Sequence, residues 1–308
     1  MHIPVLPNEV LTILNPKPGQ RYIDATINGG GHARMIAEKL GPEGKLLGID
    51  WDKNIIAMLK ERNQKEGSAA MTLVCGNFAD IKDIAESRGF AHVDGVLFDL
   101  GISSYHLENS GRGFSFLRDE PLDMRFHPGE DGVKAGDIIN GWAPKDLEDI
   151  FREYGEERRA RRIAKAIAAE RKKHPLSSSL ALARLIEKTV SSPTSSRKRR
   201  RMHPATRVFQ ALRMAVNHEL ENLKRGLEGA LALLKPGGIM AVITFHSLEE
   251  RAVKNFFRKK TEEKIMNILT KKPLLPSPEE IARNPRARSA HLRSARRLKT
   301  PTLLANPG

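Results

Sequence analysis

Short apolar runs and amphipathic stretches alternate along the first hundred residues. The runs at 21–25, 45–50, 71–75 and 93–99 have strand length, and apolar positions recur at helical spacing over 30–40, 53–62 and 79–88. Strands alternating with helices predict a parallel sheet with crossover connections. The pattern breaks after Leu100, where residues 101–145 are rich in Gly, Ser, Pro and charge. A helical block is predicted from Pro144 to Val190. Leu147, Ile150, Phe151 and Tyr154 share one face of it, and Ile163, Ile167, Leu180, Leu182, Leu185 and Ile186 follow. Residues 191–203 read as a loop. One long helix is predicted over 204–234, stopped by Lys235-Pro236-Gly237-Gly238, and a buried-type strand then runs from Ile239 to Phe245. Lys271 to Lys299 is expected to supply a closing hairpin. The α/β pattern is thus interrupted and then resumes, which predicts a helical domain inserted into a doubly wound α/β domain. The boundaries expected are 1–106, 107–207 and 208–308.

The first strand runs straight into glycine, in Tyr22-Ile23-Asp24-Ala25-Thr26-Ile27-Asn28-Gly29-Gly30-Gly31-His32, and the second ends on an acid, Leu46-Leu47-Gly48-Ile49-Asp50. Glycines after a first strand let backbone approach a ligand, and an acid about 20 residues on can hold a ribose. Two cofactors compete for such a site. A nicotinamide dinucleotide needs G-x-G-x-x-G, but the one fit, starting at Gly29, puts Arg34 at the third glycine. S-adenosylmethionine has no phosphate and needs close backbone, an acid for the ribose and an apolar cover for adenine. Asp50 supplies the acid, and Phe78 can cover the adenine. Asp99, which closes the fourth strand, can meet the cationic methionine amine. In register over four strands, these residues favour S-adenosylmethionine.

Composition adds a partner. Lys and Arg outnumber Asp and Glu for a net charge of +15, which points to a polyanion such as RNA. The charge is clustered in Arg197-Lys198-Arg199-Arg200-Arg201 and in Arg158-Arg159-Ala160-Arg161-Arg162. It recurs in an acid-free stretch from Ile281 onward that holds Arg283, Arg286, Arg288, Arg293, Arg296, Arg297 and Lys299. Aromatic residues make up only 5%, so stacking on an aromatic platform is not the main binding mode. No apolar run reaches about 18 residues and no secretion or transit signal opens the chain, so a cytoplasmic protein without a membrane span is expected. Cys75 is the only cysteine, which excludes an internal disulfide and a cysteine-based zinc site. It sits in an apolar run and is expected in the core.

Several longer strings carry a resemblance. They include Asp24-Ala25-Thr26 through Gly30-Gly31-His32, Asp99-Leu100-Gly101-Ile102-Ser103-Ser104, Arg112-Gly113-Phe114-Ser115-Phe116 and Pro121-Leu122-Asp123-Met124-Arg125. Later come Tyr154-Gly155-Glu156-Glu157, His203-Pro204-Ala205-Thr206-Arg207, Phe245-His246-Ser247-Leu248-Glu249 and Asn284-Pro285-Arg286-Ala287-Arg288-Ser289. In this order, over almost the whole chain, they resemble the RsmH (MraW) family of 16S rRNA (cytosine-N4) methyltransferases. The resemblance implies a Rossmann-like, S-adenosylmethionine-dependent methyltransferase domain with an all-helical insert. It also implies methylation of a cytosine N4 amine in the decoding region of small-subunit rRNA. Carried over by position, the cofactor residues are Gly30, Gly31, His32, Asp50, Phe78, Asp99 and His106. The family usually has glycine where Asn28 stands and glutamine where His106 stands.

A cytosine N4 amine is a weak nucleophile, so its lone pair must be aimed at the methyl group and a proton taken up as the bond forms. Asp99 is the candidate catalytic residue, by positioning the cofactor. His106, Asp123, Arg125 and His246 are candidates for the target pocket, against the plain alternative of salt-bridging and structural roles. No metal is called for. A homodimer and an organellar origin are left open, as are a nicotinamide-linked oxidoreductase and a non-catalytic RNA-binding factor.

Overall fold

The computed structural model describes residues 3–66, 71–129, 132–191 and 203–299. By its internal contacts the chain forms two compact units, one of residues 1–101 with 220–308 and one of residues 102–219. The first unit opens with α1 (Pro7–Leu14), which has proline at its start and a left-handed Asn15 at its end. Then β1 (Arg21–Asp24), α2 (Gly31–Leu40), β2 (Lys45–Asp50), α3 (Lys53–Glu66), β3 (Met71–Cys75), α4 (Ile81–Glu86) and β4 (Val93–Asp99) alternate as the apolar pattern predicts.

The second unit is helical. It holds α5 (Ser104–Glu108), α6 (Ala135–Gly141), α7 (Pro144–Glu153), α8 (Ala160–Glu170), α9 (Ser179–Val190) and α10 (Thr206–Asn217). The block read as continuous over 144–190 is three helices. Glu156 takes φ 47°, and a Cβ on Gly155 would come within 2.6 Å of the Arg207 carbonyl oxygen, so the chain must turn there. Pro175 precedes α9, which Ser178 caps by accepting the Ala181 amide. Its core joins Phe114, Met124, Ile138, Phe151, Ile163, Ile167, Leu182, Ile186 and Leu212. Ile102 and α10 pack with this core, so the units part at 101/102 and 219/220 rather than at the expected 106/107 and 207/208.

The chain re-enters the first unit through α11 (Glu219–Leu233), followed by β5 (Leu234–Thr244), α12 (Ser247–Glu262), β6 (Met266–Ile268), α13 (Pro278–Arg283) and β7 (His291–Arg297). The single helix predicted over 204–234 is broken at His218, which takes φ 49° and closes α10. The sheet order is β3-β2-β1-β4-β5-β7-β6. The strands β1 to β5 pair in parallel, and β7 runs antiparallel to both neighbours. The expected closing hairpin is corrected in part: β7 lies in the predicted stretch, but its partner β6 precedes Lys271. Every β4 residue is buried, as suits a central parallel strand. Cys75, expected in the core, is exposed because β3 is the sheet's edge. No helix of the described residues is long and apolar enough to cross a membrane.

Candidate functional site

In the first unit the chain runs outward from β1 to β2 and β3, then returns to β4 on the other side of β1. Open α/β sheets bind ligands at such a reversal, outside the carboxyl ends of the strands. Three adjacent strands end there on acids: Asp50 on β2, Asp24 on β1 and Asp99 on β4.

The glycine loop joins β1 to α2 at this edge. Asn28 takes φ 48° and Gly30 φ 74°, both left-handed. A Cβ on Gly30 would meet Arg62 Nη2 at 2.8 Å and Leu59 Cδ2 at 2.9 Å; one on Gly31 would meet Pro4 at 3.0 Å. Gly30 is therefore needed for turning as well as for packing, while Gly31 leaves room for Pro4. Asn28 fastens the loop at two points. Its backbone amide donates to Asp50 Oδ2 at 3.0 Å, and its side-chain amide donates to the Asp99 carbonyl at 3.1 Å. Arg62 adds a third tie by donating to the Gly29 carbonyl at 3.2 Å.

Asp50 accepts the Asn28 amide on one oxygen and the Asp52 amide on the other, at 2.9 Å. A carboxylate only accepts, which suits it to hydroxyl donors such as those of a ribose. Asp99 is different. Its side chain is almost wholly buried, and its Oδ1 has no hydrogen-bond partner among the described residues. Burial first, then the charges of Asp24 and Glu249, push its carboxyl up to about 8. Burial likewise raises Asp24 to about 7, opposed by the Thr26 amide, with Asp50 adding to the rise. His32 Nδ1 lies 3.6 Å from Asp99 Oδ2, while His32 Nε2 is 2.8 Å from the Val5 carbonyl. A carbonyl only accepts, so Nε2 carries hydrogen and Nδ1 faces the acid. A buried acceptor ringed by acids is a place for a cation, and the residues fit a cofactor that carries an ammonium group.

Phe78 follows β3 in a 3-10 turn. Its ring meets Phe98 edge-on with centroids 5.8 Å apart, and Gly226 of α11 lies against it. It remains partly exposed, so one side can still cover a ligand. His246 caps α12: its Nδ1 accepts the Glu249 amide at 3.4 Å while Glu249 Oε2 accepts the Phe245 amide at 2.8 Å. This pair brings Glu249 to the strand-end acids, and it gives His246 a structural role first.

The remaining candidates lie in the second unit. His106 is buried, 2.7 Å through Nδ1 from Ser103 Oγ, with ring centroids 5.1 Å from Phe114 and 5.0 Å from Phe126. Asp123 and Arg125 pair with each other through Nε–Oδ1 at 2.8 Å and Nη2–Oδ2 at 2.7 Å. Burial opposes the ionised form of Asp123, but the Arg125 bonds outweigh it and hold the carboxyl below its usual range. Arg112, half hidden from sequence reading, donates to the carbonyls of Arg125 and Phe126 at 2.8 and 2.9 Å and lies over Phe114. Asn217 accepts the Phe126 amide and donates to the Met124 carbonyl. Arg112 and Asn217 thus hold the backbone of residues 124–126, while His106 packs on Phe114 and Phe126.

Sequence reasoning missed Asp24 and Glu249 as members of the site. The first had a signal, since Ile23-Asp24 repeats the apolar-then-Asp ending of Ile49-Asp50 and Phe98-Asp99. The basic clusters also divide. Arg297 donates to the Leu231 and Ala232 carbonyls at the end of α11, and Arg293 pairs with Glu250 at 2.7 Å, so these two cations serve the fold. The block Arg197 to Arg201 lies outside the described residues.

The sequence profile of the MraW methylase family matches residues 1–298. A Thermomicrobium roseum protein named ribosomal RNA small subunit methyltransferase H is 47% identical, over 96% of this chain and 94% of its own. Proteins of the same name from Syntrophotalea carbinolica and Carboxydothermus hydrogenoformans are 47% and 45% identical, each over 96% of this chain and 98% of its own.

Proposed function

The chain belongs to the MraW methylase family, and from that premise we propose that it methylates small-subunit rRNA with S-adenosylmethionine, at the N4 amine of a decoding-region cytosine. One observation carries the cofactor assignment: Asp99 Oδ1 is buried, unpartnered and surrounded by acids at the sheet's reversal point. Such a group gains most from a cation, because the site has paid desolvation without recovering a hydrogen bond.

Gly30 and Gly31 bring backbone close, and Asp50 takes the ribose hydroxyls. Phe78 covers the adenine, Asp99 holds the ammonium, and His32 faces Asp99. His106 joins this set by position in the family. When bound, S-adenosylmethionine supplies an electrophilic methyl group. The chain's own part is to fix that group and to aim the amine lone pair at it. Asp99 is the one catalytic residue assigned, as the anchor of this geometry. The target base must leave its stack to reach the site, and His246 in the first unit and Asp123 and Arg125 in the second are each proposed as substrate candidates. The cytoplasm is the expected compartment.

The test is transfer of tritiated methyl groups to small subunits and to naked rRNA from cells lacking the endogenous enzyme, followed by nucleoside analysis. Label in N4-methylcytidine is expected. Label in another nucleoside would overturn the N4 assignment alone. Calorimetry that finds no S-adenosylmethionine binding would overturn the enzyme reading and leave an RNA-binding factor; NADH binding in its place would favour an oxidoreductase.

A further inference from the structure

Helix α8 carries its charges against both rules that stabilise helices. Cations favour a helix C-terminus and acids its N-terminus, and like charges three or four positions apart repel. In α8 the first turn holds Arg161 and Arg162 and no acid, and Glu170 closes the other end. Arg161 and Arg162 each stand three or four positions from Lys165 and from Arg158, which lies in the turn leading into the helix, and all four are exposed. Among the described residues none of these four has an ion-pair partner. The opposite face, Ala160, Ile163, Ala164 and Ile167, is buried in the unit's core. The cations are therefore fixed as a ridge facing outward.

Two other surface helices of the same chain pair their charges. In α7, Lys145 pairs with Asp149 and Arg152 with Glu148, each four positions apart. In α12, Glu249 and Glu250 stand in the first turn, Lys259 and Lys260 in the last, and Arg258 pairs with Glu262. The neighbouring Arg159 also has a structural use, donating to the Val190 carbonyl at the end of α9. The four ridge residues have none, and their arrangement costs helix stability.

Resting on the rRNA reading above, we propose that this face of α8 is a phosphate-binding ridge that grips the RNA sugar-phosphate backbone. Its occupant must be a polyanion, because Arg161, Arg162 and Lys165 lie within about 6 Å along the helix axis, with Arg158 just before it, and contain no apolar or aromatic element that would read a base. The net charge of +15 across the chain draws the same partner. The ridge supplies affinity and orientation rather than sequence choice.

The experiment uses the full chain and the variant Arg158→Gln/Arg161→Gln/Arg162→Gln/Lys165→Gln. A labelled transcript of small-subunit rRNA is titrated from 50 to 300 mM KCl. Neutralising four phosphate contacts should weaken binding at least tenfold near 100 mM salt and reduce the slope of log K against log salt by about three. S-adenosylmethionine binding should be unchanged. The melting temperature should hold or rise, since the repulsion is relieved, whereas a merely structural role would lower it. The all-lysine variant Arg158→Lys/Arg161→Lys/Arg162→Lys should keep most of the affinity. Equal affinity and slope in wild type and Gln variant would overturn the ridge. So would lost binding to assembled subunits with unchanged binding to naked rRNA, which would assign the face to a ribosomal protein. A wild-type chain that binds no rRNA would instead sink the functional reading itself.

Discussion

Asp99 and Asp123 are both shielded aspartates, one in each unit, with opposite electrostatics. Asp99 keeps an oxygen without a partner, beside Asp24 and Glu249, and its carboxyl is pushed up to about 8. Asp123 is clasped by Arg125 through two bonds, and its carboxyl is held below the usual range. The paired acid is a finished structural element. The orphaned acid is an unfinished one that a cation can complete, which is why the binding site is sought at Asp99.

The largest expected effect separates them by ligand. Asp99→Asn should weaken S-adenosylmethionine binding by about a hundredfold or more, near 3 kcal/mol, as for a lost charge-assisted contact; Asp123→Asn should leave that affinity within about twofold. Calorimetry on both variants checks this, and equal losses would break the contrast.

The pH dependence of stability should also split by sign. Asp99 and Asp24 have folded values of about 8 and about 7, above the unfolded 3.8. The folded chain therefore holds more protons than the unfolded one, and stability falls as pH rises from about 4 to about 8. Asp123 is depressed, so its contribution is present above the unfolded value and lost as pH falls through the folded one. Melting curves of cofactor-free protein should show that Asp99→Asn flattens the decline as pH rises from about 4 to about 8, while Asp123→Asn flattens the loss at low pH.

Removing the clasp is a smaller perturbation. Arg125→Ala should destabilise the chain by about 1–3 kcal/mol by leaving a half-buried carboxylate unpaired, and denaturant titration reads this directly. No change would mean that water replaces the guanidinium.

The smallest effect concerns the loop. The family's usual glycine at position 28 suggests that Asn28→Gly should be tolerated or even favourable. The bond from Asn28 to the Asp99 carbonyl argues the reverse. Loosened at that point, the loop should bind S-adenosylmethionine about two- to fivefold more weakly, consistent with one hydrogen bond. Tighter binding would show that the asparagine costs affinity.

Much of this was legible beforehand. The strands β1 to β4, the interruption by helices and the acids at positions 50 and 99 follow from apolar period and chain order. The helix breaks at Glu156 and His218 were not, because Glu rarely takes the left-handed conformation and His, which takes it more often, marks no turn by itself. The exposure of Cys75 was hidden because an apolar run does not say which strand becomes an edge. The arginines of the last strand read as a nucleic-acid tail, yet Arg293 and Arg297 bond within the fold. The arginines of α8 had the same composition and turn out without partners among the described residues.

The sequence by itself determined the first strands and their alternation with helices, the family and the kind of residue at each strand end. Those features rest on local periodicity and on side-chain chemistry that every residue carries with it. Only the tertiary structure decided which charges are satisfied. Asp24, Asp99 and Glu249 meet at one point from positions far apart in the chain, and Asp123 finds Arg125 two residues away. Desolvation and Coulomb interaction depend on such distances in space, and a linear string of residues does not contain them.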